Sequence, residues 1–398
     1  MNEFIPSERK ARLFKDVDQF LPEKFKKELH LYEEIIEVSD ENLKKVYSDI
    51  EESLEESKES TNTIYRVIEY ALTIRLNQTE SLLSLLSLLV LDHGYTEHNM
   101  NDRLYSMLVH QGIIKMEEHR KLYSMKEILE VFPEEKSMYS IMHDDIDTFI
   151  KKSSEHSFNA SKRIKINSNS PLYYVSSWCV YLIDIMAFFG AVKCFKYAIL
   201  NKNYYSKNLN DYAVAGGSME IIHILEQKGT SFNNCLKTSI KFHRHFVSDW
   251  ILLHYRCCEK SELYRSLHYC NYRVSLFRII NGIGDSLHES SGHLFIVKYL
   301  IEECHQDAKA KIFDDETPLH NASEEGNIDI VKYLVEECHV DIETKSKLGW
   351  TALYFASDKG HFDIVKYLVE ECHAQITDDL ITYIASNEKI KEYLQAKK

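Results

Sequence analysis

The chain has 398 residues and a formal net charge of −14, with 62 acidic against 48 basic side chains. An acidic surface repels phosphate backbones and is not attracted to anionic lipids, so the charge argues against nucleic acid and membranes as partners. Only 12 Gly and 5 Pro occur in this length, too few turn-forming residues for a sandwich of many strands. An all-α fold with two or three folding units is predicted.

The cysteines indicate a reducing compartment. All nine lie beyond residue 178, their number is odd, and no CxxC spacing occurs. No secretory leader is recognisable in the first ten residues. We therefore predict reduced thiols and a cytoplasmic location, with the nucleus as the alternative.

Residues 1–150 show helical periodicity, which predicts a helical bundle or an irregular helical region. Ser39 is a capping residue, and Leu43, Val46 and Ile50 follow it at the spacing of one helix face. The sequence does not assign this region to a known family.

The most apolar stretch is Leu82–Leu91, which is followed by Gly94. A membrane span needs roughly 20 apolar residues, so this run is too short. It predicts a buried helix that ends at Gly94.

Residues 151–170 are rich in Ser, Asn and Lys and poor in apolar side chains. This composition predicts a linker between domains or an exposed loop. A long surface loop within one continuous structure is the alternative.

A strong internal repeat begins further along the chain. The segment Gly292–Leu300 recurs as GNIDIVKYL at Gly326–Leu334 and as GHFDIVKYL at Gly360–Leu368, a period of 34 residues. Thr317 and Pro318 open a short helix, and Gly326 ends it before a second helix begins. One such helix pair cannot bury its apolar stripe alone, so stacked copies are predicted.

These residues resemble the ankyrin-repeat family, because TPLHNASEEGNIDIVKYL at Thr317–Leu334 matches its pattern closely. The resemblance implies an ankyrin-type α-solenoid with ankyrin repeats at 286–378. We interpret 171–285 as divergent ankyrin-like repeats, similar to a domain of unknown function that precedes ankyrin arrays in protein families of parasitic protists. Residues 379–398 are interpreted as a C-terminal capping unit.

Two departures from the family pattern affect the turns. Asp315 stands where ankyrin loops usually carry Gly, which leaves the shape of that hairpin tip open. Each second helix ends in EECH, at His305, His339 and His373, instead of the usual small-residue turn.

No pattern of catalytic residues or of a cofactor site is present, so no enzyme activity, cofactor or metal is predicted. The Cys-His pairs at the EECH ends have metal-binding residue types. However, packed helices separate the copies too far for shared ligands, and thiols ending each helix are favoured. The basic segment His243–His245 suggests either contact with an anion or, preferably, a solvated helix start.

The resemblance implies that binding uses the hairpin tips and the concave face of the first helices. Carried over by position, this marks ten residues: Phe313, Asp314, Glu316, Glu324, Glu325, Lys347, Leu348, Trp350, Asp358 and Lys359. Phe313 and Trp350 are the strongest candidates, because exposed aromatic side chains dominate many interfaces. The alternative for Trp350 is packing on the adjacent loop, which would only stabilise the stack.

We therefore predict a non-catalytic scaffold or adaptor that binds a protein, with acidic tips that favour a basic patch on that partner. Two alternatives remain open. One is a regulatory subunit or an enzyme with its site in residues 1–150, and the other is a self-associating structural repeat protein.

Overall fold

The computed structural model describes residues 13–56, 61–75, 78–94, 102–110, 112, 137–154, 163–166, 172, 175, 179–200, 206–255, 266–281, 287, 290, 292–311, 313–383 and 388–398. The chain divides into two compact units. Among the described residues, the N-terminal unit ends at Phe277, and the C-terminal unit begins at Arg278.

The all-α prediction is confirmed. The regular elements are helices apart from one short antiparallel pair, β1 Ile164–Lys165 with β2 Cys179–Val180. The described α-helices, in chain order, are α1 Glu23–Ile36, α2 Leu43–Glu56, α3 Thr61–Ile74, α4 Thr79–His93, α5 Asp102–His110, α6 Ser137–Met142, α7 Ile146–Ser153, α8 Leu182–Phe189, α9 Val192–Leu200, α10 Leu209–Gly216, α11 Met219–Gln227, α12 Leu236–Lys241, α13 His245–Tyr255, α14 Tyr272–Ile280, α15 Leu294–Glu302, α16 Pro318–Glu325, α17 Ile328–Glu336, α18 Ala352–Lys359, α19 Phe362–Glu370, α20 Asp378–Tyr383 and α21 Glu388–Lys397. Short 3₁₀ helices cover Phe14–Phe20 and Phe313–Asp315.

The apolar run Leu82–Leu91 lies in α4, as predicted, and Gly94 ends this helix with φ +74° and its N–H donating to the Val90 carbonyl. Leu82 and Leu86 are buried, whereas Leu91 is exposed.

Among the described helices, none has the length and apolar content needed to cross a membrane.

Within the N-terminal unit, helix pairs stack from α6 onward. Helix α8 packs on α6 and α10, α10 packs on α12, and α9 packs on α11. Gly216 lies at the contact of α10 with α8, because a Cβ there would lie 2.4 Å from the Ala187 carbonyl oxygen. Only a residue without a side chain allows this close backbone approach.

The turn between the two helices of each pair recurs at a regular spacing along the chain. Gly190, Gly217, His243 and Cys270 all have positive φ, and successive members are 26 or 27 residues apart. In the C-terminal unit, Gly326 and Gly360 occupy the same kind of turn.

The difference in period comes from the loops that connect the pairs. Only residues 228–235 separate α11 from α12, whereas residues 337–351 separate α17 from α18. The long hairpins therefore belong to the 34-residue repeats.

The first helices of the N-terminal unit pack on α13 and α14. The Phe14 N–H donates to Asp249 Oδ1 at 2.7 Å, and the Phe14 ring lies edge-on to Phe277 at 4.7 Å. Arg273, only 8% exposed, donates to Glu33 Oε2 at 2.8 Å and to Asp18 Oδ1 at 3.0 Å. Forked bonds of this kind fix one orientation of the two segments, because a single planar guanidinium must reach both acids.

The predicted boundary at 151–170 contains the last turn of α7 and β1, and its other residues are outside the described part apart from 154, 163 and 166. The basic segment His243–His245 begins α13, but its side chains are half-buried. A solvated helix start is therefore the wrong interpretation of that segment.

The C-terminal unit repeats one arrangement. First helix α16 packs on first helix α18, and the second helices α15, α17 and α19 pack in sequence. The Thr317 N–H donates to His320 Nδ1 at 3.0 Å, and His320 Nε2 donates to the Thr344 carbonyl at 3.0 Å. This buried imidazole therefore joins the start of α16 to the following loop.

The EECH ends have a backbone role. His305, His339 and His373 all have positive φ, between +51° and +59°, directly after the helix ends. The preceding Cys304, Cys338 and Cys372 are half-buried thiols. The left-handed residue that stops each second helix is thus a histidine, where a glycine is commoner.

Candidate protein-binding surface

The two hairpin tips share a left-handed residue at equivalent positions. Asp315 has φ +57°, and Gly349, which stands 34 residues later, has φ +82°. Asp315 therefore adopts the left-handed conformation that the family pattern normally assigns to Gly, and Asp tolerates it better than most side chains. Neighbouring tips are joined, because the Lys347 N–H donates to the Asp314 carbonyl at 2.7 Å.

Three acids from one repeat lie close together beside this tip. Burial raises the pKa of Glu316, and the charges of Glu324 and then Asp314 raise it further. Glu316 is half-buried. A cation brought to this point would be attracted by all three carboxylates.

Two lysines of the next repeat partly neutralise these acids. Lys359 Nζ lies 3.0 Å from Glu324 Oε1 and 3.8 Å from Asp358 Oδ2, and Lys347 Nζ lies 3.7 Å from Asp314 Oδ1. Because Glu324 lies on α16 and Lys359 on α18, the first pair joins neighbouring first helices. Glu316 makes no ion pair with any residue that the structure describes.

Trp350 packs on the helix that it precedes. Its ring stacks on Tyr354 with centroids 4.3 Å apart and an interplanar angle of 17°, and Phe355 meets it edge-on at 6.0 Å. The ring is half-buried, so part of it reaches solvent. Trp350 therefore stabilises the start of α18 and still offers an apolar surface.

The aromatic pair and the charged residues lie side by side, because Tyr354 and Asp358 are one turn apart on α18. We define the belt as these two groups together, namely Asp314, Glu316, Glu324, Lys347, Trp350, Tyr354, Asp358 and Lys359. Leu348, which is 66% exposed, projects at the hairpin tip beside Lys347. Seven of the ten predicted residues are in the belt, and Tyr354 was not among the predicted residues. The sequence could have indicated Tyr354, because it follows Trp350 by four residues. This spacing places the two side chains on one face of the helix start.

Two predicted residues are placed differently. Glu325 is exposed and accepts a hydrogen bond from Asn327 Nδ2 at 3.2 Å, at the turn between α16 and α17. Phe313 begins the short 3₁₀ helix at the tip, and its side chain lies outside the part of the chain that the structure describes.

Within the described residues, no group of three or more His, Cys, Asp and Glu side chains is arranged to hold a metal ion. Burial raises the pKa of Cys304 to about 11 and also raises those of Cys338 and Cys372, so these thiols are held protonated.

Residues 287–379 match the family model for ankyrin repeats, in three copies. No curated protein sequence matches the chain. Among the similar solved structures is the crystal structure of the human ASB11 ankyrin repeat domain, with 12% sequence identity and a TM-score of 0.28 over 66% of this chain and 98% of that chain. The family-model match identifies ankyrin repeats in the segment 287–379.

Proposed function

We propose that the protein is a non-catalytic scaffold or adaptor that binds another protein through the belt and the hairpin tips. Ankyrin repeats generally mediate protein–protein interactions. The observation that carries the proposal is the continuity of the belt, in which charged and aromatic side chains from two successive repeats meet on one surface.

The charge of the belt favours a partner with a basic patch. It combines four acids with two lysines, and two of these acids, Glu324 and Asp314, lie near Glu316. A lysine or arginine of the partner would be attracted to Glu316, while an apolar side chain beside it would cover Leu348 and the exposed part of Trp350. Nucleic acid and membrane surfaces do not fit this charge.

The remaining parts of the chain have supporting roles in this proposal. Residues 171–285 are divergent ankyrin-like repeats, which the regular turns from Gly190 to Cys270 support. Residues 379–398 cap the array, which is supported by the buried Ile390 and Leu394 and the polar remainder of α21. Residues 1–150 form a helical domain that docks a second partner or covers the stack.

The free thiols favour a reducing compartment, the cytoplasm or the nucleus.

The test is an affinity measurement with the partner purified by pull-down and identified by mass spectrometry. Glu316→Lys places a positive charge between Glu324 and Asp314, and it should weaken binding at least tenfold by repelling a basic patch. Trp350→Ala removes the aromatic surface and should weaken binding by a similar factor.

Glu371→Lys is the matched control, because Glu371 is exposed on the turn after α19 and makes the same change of charge away from the belt. If all three variants bind like the parent chain, the belt is not the binding surface. Light scattering at two protein concentrations separates self-association, which raises the apparent mass as concentration rises.

A further inference from the structure

Two arginines lie in the N-terminal unit, one directly after α3 and one directly before α13. The two places are close, because Tyr70 of α3 donates from Oη to the Lys241 carbonyl, at the end of α12, at 2.6 Å. Arg75 directly follows α3 and is only 5% exposed. Arg244 caps α13, since its carbonyl accepts the Ser248 N–H at 2.8 Å. These residues belong to the part of the unit where the first helices cover the stacked pairs.

Arg75 has more hydrogen-bond donors than the protein uses. Its Nη2 pairs with Glu37 Oε1, whereas Nε and Nη1 are buried and have no hydrogen-bond partner among the described residues. Glu37 itself is 53% exposed at the end of α1, and its other oxygen lies 3.5 Å from Gln78 Nε2. A buried guanidinium is thus compensated by one carboxylate that points largely into solvent.

The Arg244 side chain makes one hydrogen bond to the backbone, and this bond does not compensate its positive charge. Its Nε donates to the Ala215 carbonyl at 2.9 Å, as His361 Nε2 donates to the Glu324 carbonyl in the ankyrin repeats. The position therefore needs one N–H donor, which a histidine supplies elsewhere. Arg244 forms no ion pair with any residue that the structure describes.

The charge of Arg75 acts on Arg244 and on His243. Burial, followed by the charge of Arg75, lowers the pKa of Arg244, and burial, followed by the charges of His245, Arg75 and Arg244, lowers the pKa of His243. Among the described residues, Glu37 is the carboxylate whose charge acts on both guanidinium groups, and it forms its ion pair with Arg75 and not with Arg244. Keeping a half-buried excess of positive charge is unfavourable unless an anion compensates it.

We propose that Arg75 and Arg244 form a binding site for a phosphate group, with Glu37 competing for the same guanidinium. The planar fork of arginine matches tetrahedral oxyanions, and two forks present more N–H donors than one carboxylate accepts. A dianion matches the two positive charges that remain when Glu37 turns to solvent. The phosphate belongs either to the free ion or to a phosphorylated side chain of a peptide, which have the same recognition chemistry.

The experiment measures phosphate binding to the full chain by calorimetry and thermal unfolding at pH 7.5, with sodium chloride keeping the ionic strength constant. Phosphate should raise the unfolding temperature more than chloride does, because a ligand that binds only the folded state stabilises it. Glu37→Gln removes the competing carboxylate and should tighten phosphate binding about tenfold, and Arg75→Gln should weaken it at least tenfold.

Glu220→Gln is the matched control, because it removes an exposed partner of Lys196 in the same unit and should leave phosphate binding unchanged. The Glu37→Gln variant also guards against misfolding as an explanation, since a damaged protein does not gain affinity. If phosphate stabilises no more than chloride, or if Glu37→Gln and Arg75→Gln bind phosphate like the parent chain, the proposal is wrong.

The source of the phosphate is distinguished with a second probe, the peptide acetyl-Gly-phosphoserine-Gly-amide. Binding of either probe with the predicted order of variants supports the site. Tighter binding of the peptide identifies a phosphorylated side chain, and tighter binding of inorganic phosphate identifies the free ion. Binding of neither probe overturns the proposal.

Discussion

Tyr367 Oη donates a hydrogen bond of 2.8 Å to Glu336 Oε1, and this contact joins α19 to α17. The same pairing recurs along the second helices. Tyr333 Oη donates to Glu302 at 3.2 Å, and Tyr393 Oη donates to Glu370 at 3.0 Å. Tyr333 and Tyr367 come from the repeated KYL motif, Tyr393 from the related segment Glu392-Tyr393-Leu394, and the three acids from the repeated EE motif. Related sequence segments therefore supply a bond at each of these three junctions.

These bonds should contribute measurably to the stability of the array. Tyr367→Phe removes one hydroxyl and keeps the ring, so the free energy of unfolding should fall by about 0.5–1.5 kcal/mol. The double mutant with Glu336→Gln should lose less than the sum of the two single changes, because both act on one bond. Chemical denaturation of the four proteins measures this coupling, and strictly additive effects would show that the hydroxyl and the carboxylate act separately.

The hairpin tip provides a test of backbone conformation. Gly349 has φ +82°, and a Cβ at this position would meet no atom within 4 Å, so a substitution acts through the backbone alone. Gly349→Ala should destabilise the protein by about 1 kcal/mol, whereas Gly349→Asp should cost less, since Asp tolerates positive φ and occupies the equivalent tip at Asp315. Thermal unfolding should therefore rank Gly349→Ala below Gly349→Asp. The reverse order would remove the explanation given for Asp315.

A second glycine is constrained by its neighbour as well as by its backbone. A Cβ at Gly326 would lie 2.5 Å from the His361 ring, and φ there is +80°. Gly326→Ala should destabilise the C-terminal unit by about 2 kcal/mol or more, because steric conflict adds to backbone strain. In a His361→Ala background the same change should lower the stability only by the cost of backbone strain, because the steric conflict is removed. An equal loss in both backgrounds would contradict the steric argument.

Much of the C-terminal unit was predictable from the sequence because Gly326 and Gly360 mark its turns and Thr317–Ser323 marks its first helix. The register of the N-terminal unit was not, since His243 and Cys270 occupy turns where the pattern normally shows glycine. The docking of Phe14 on Asp249 was also hidden, because no local periodicity encodes a contact between residues 235 positions apart. At the candidate site, exposure of the tips followed from the repeat, but the pairing of Lys359 with Glu324 depends on how neighbouring helices pack.

Buried histidines predict a dependence of stability on pH. His243 Nε2 donates to the Tyr269 carbonyl, and burial is the main cause that lowers the pKa of His243 well below 6.5, aided by His245, Arg75 and Arg244. Below about pH 6.5 the unfolded chain takes up a proton that the folded chain does not, so the free energy of unfolding falls as the pH falls. Asp184 acts in the opposite direction, because burial raises its pKa to about 6 and its contribution to stability is lost as the pH rises through that value.

The variant His243→Asn isolates this contribution, because Asn tolerates the positive φ of that position. Between pH 7.5 and 5.5 the parent chain should lose up to about 1.4 kcal/mol per pH unit from His243 alone. The variant should show a shallower loss in denaturation curves recorded at each pH. Equal slopes for both proteins would mean that His243 titrates alike in the folded and unfolded states.

We propose that the belt on the first helices and hairpin tips binds a protein partner. Hydrogen–deuterium exchange of the full chain, with and without the purified partner, tests it most directly. Binding should slow amide exchange in residues 313–325 and 347–359 and leave the second helices α17 and α19 unchanged. Protection confined to α17 and α19, with the tips exchanging as in the free chain, would contradict the account.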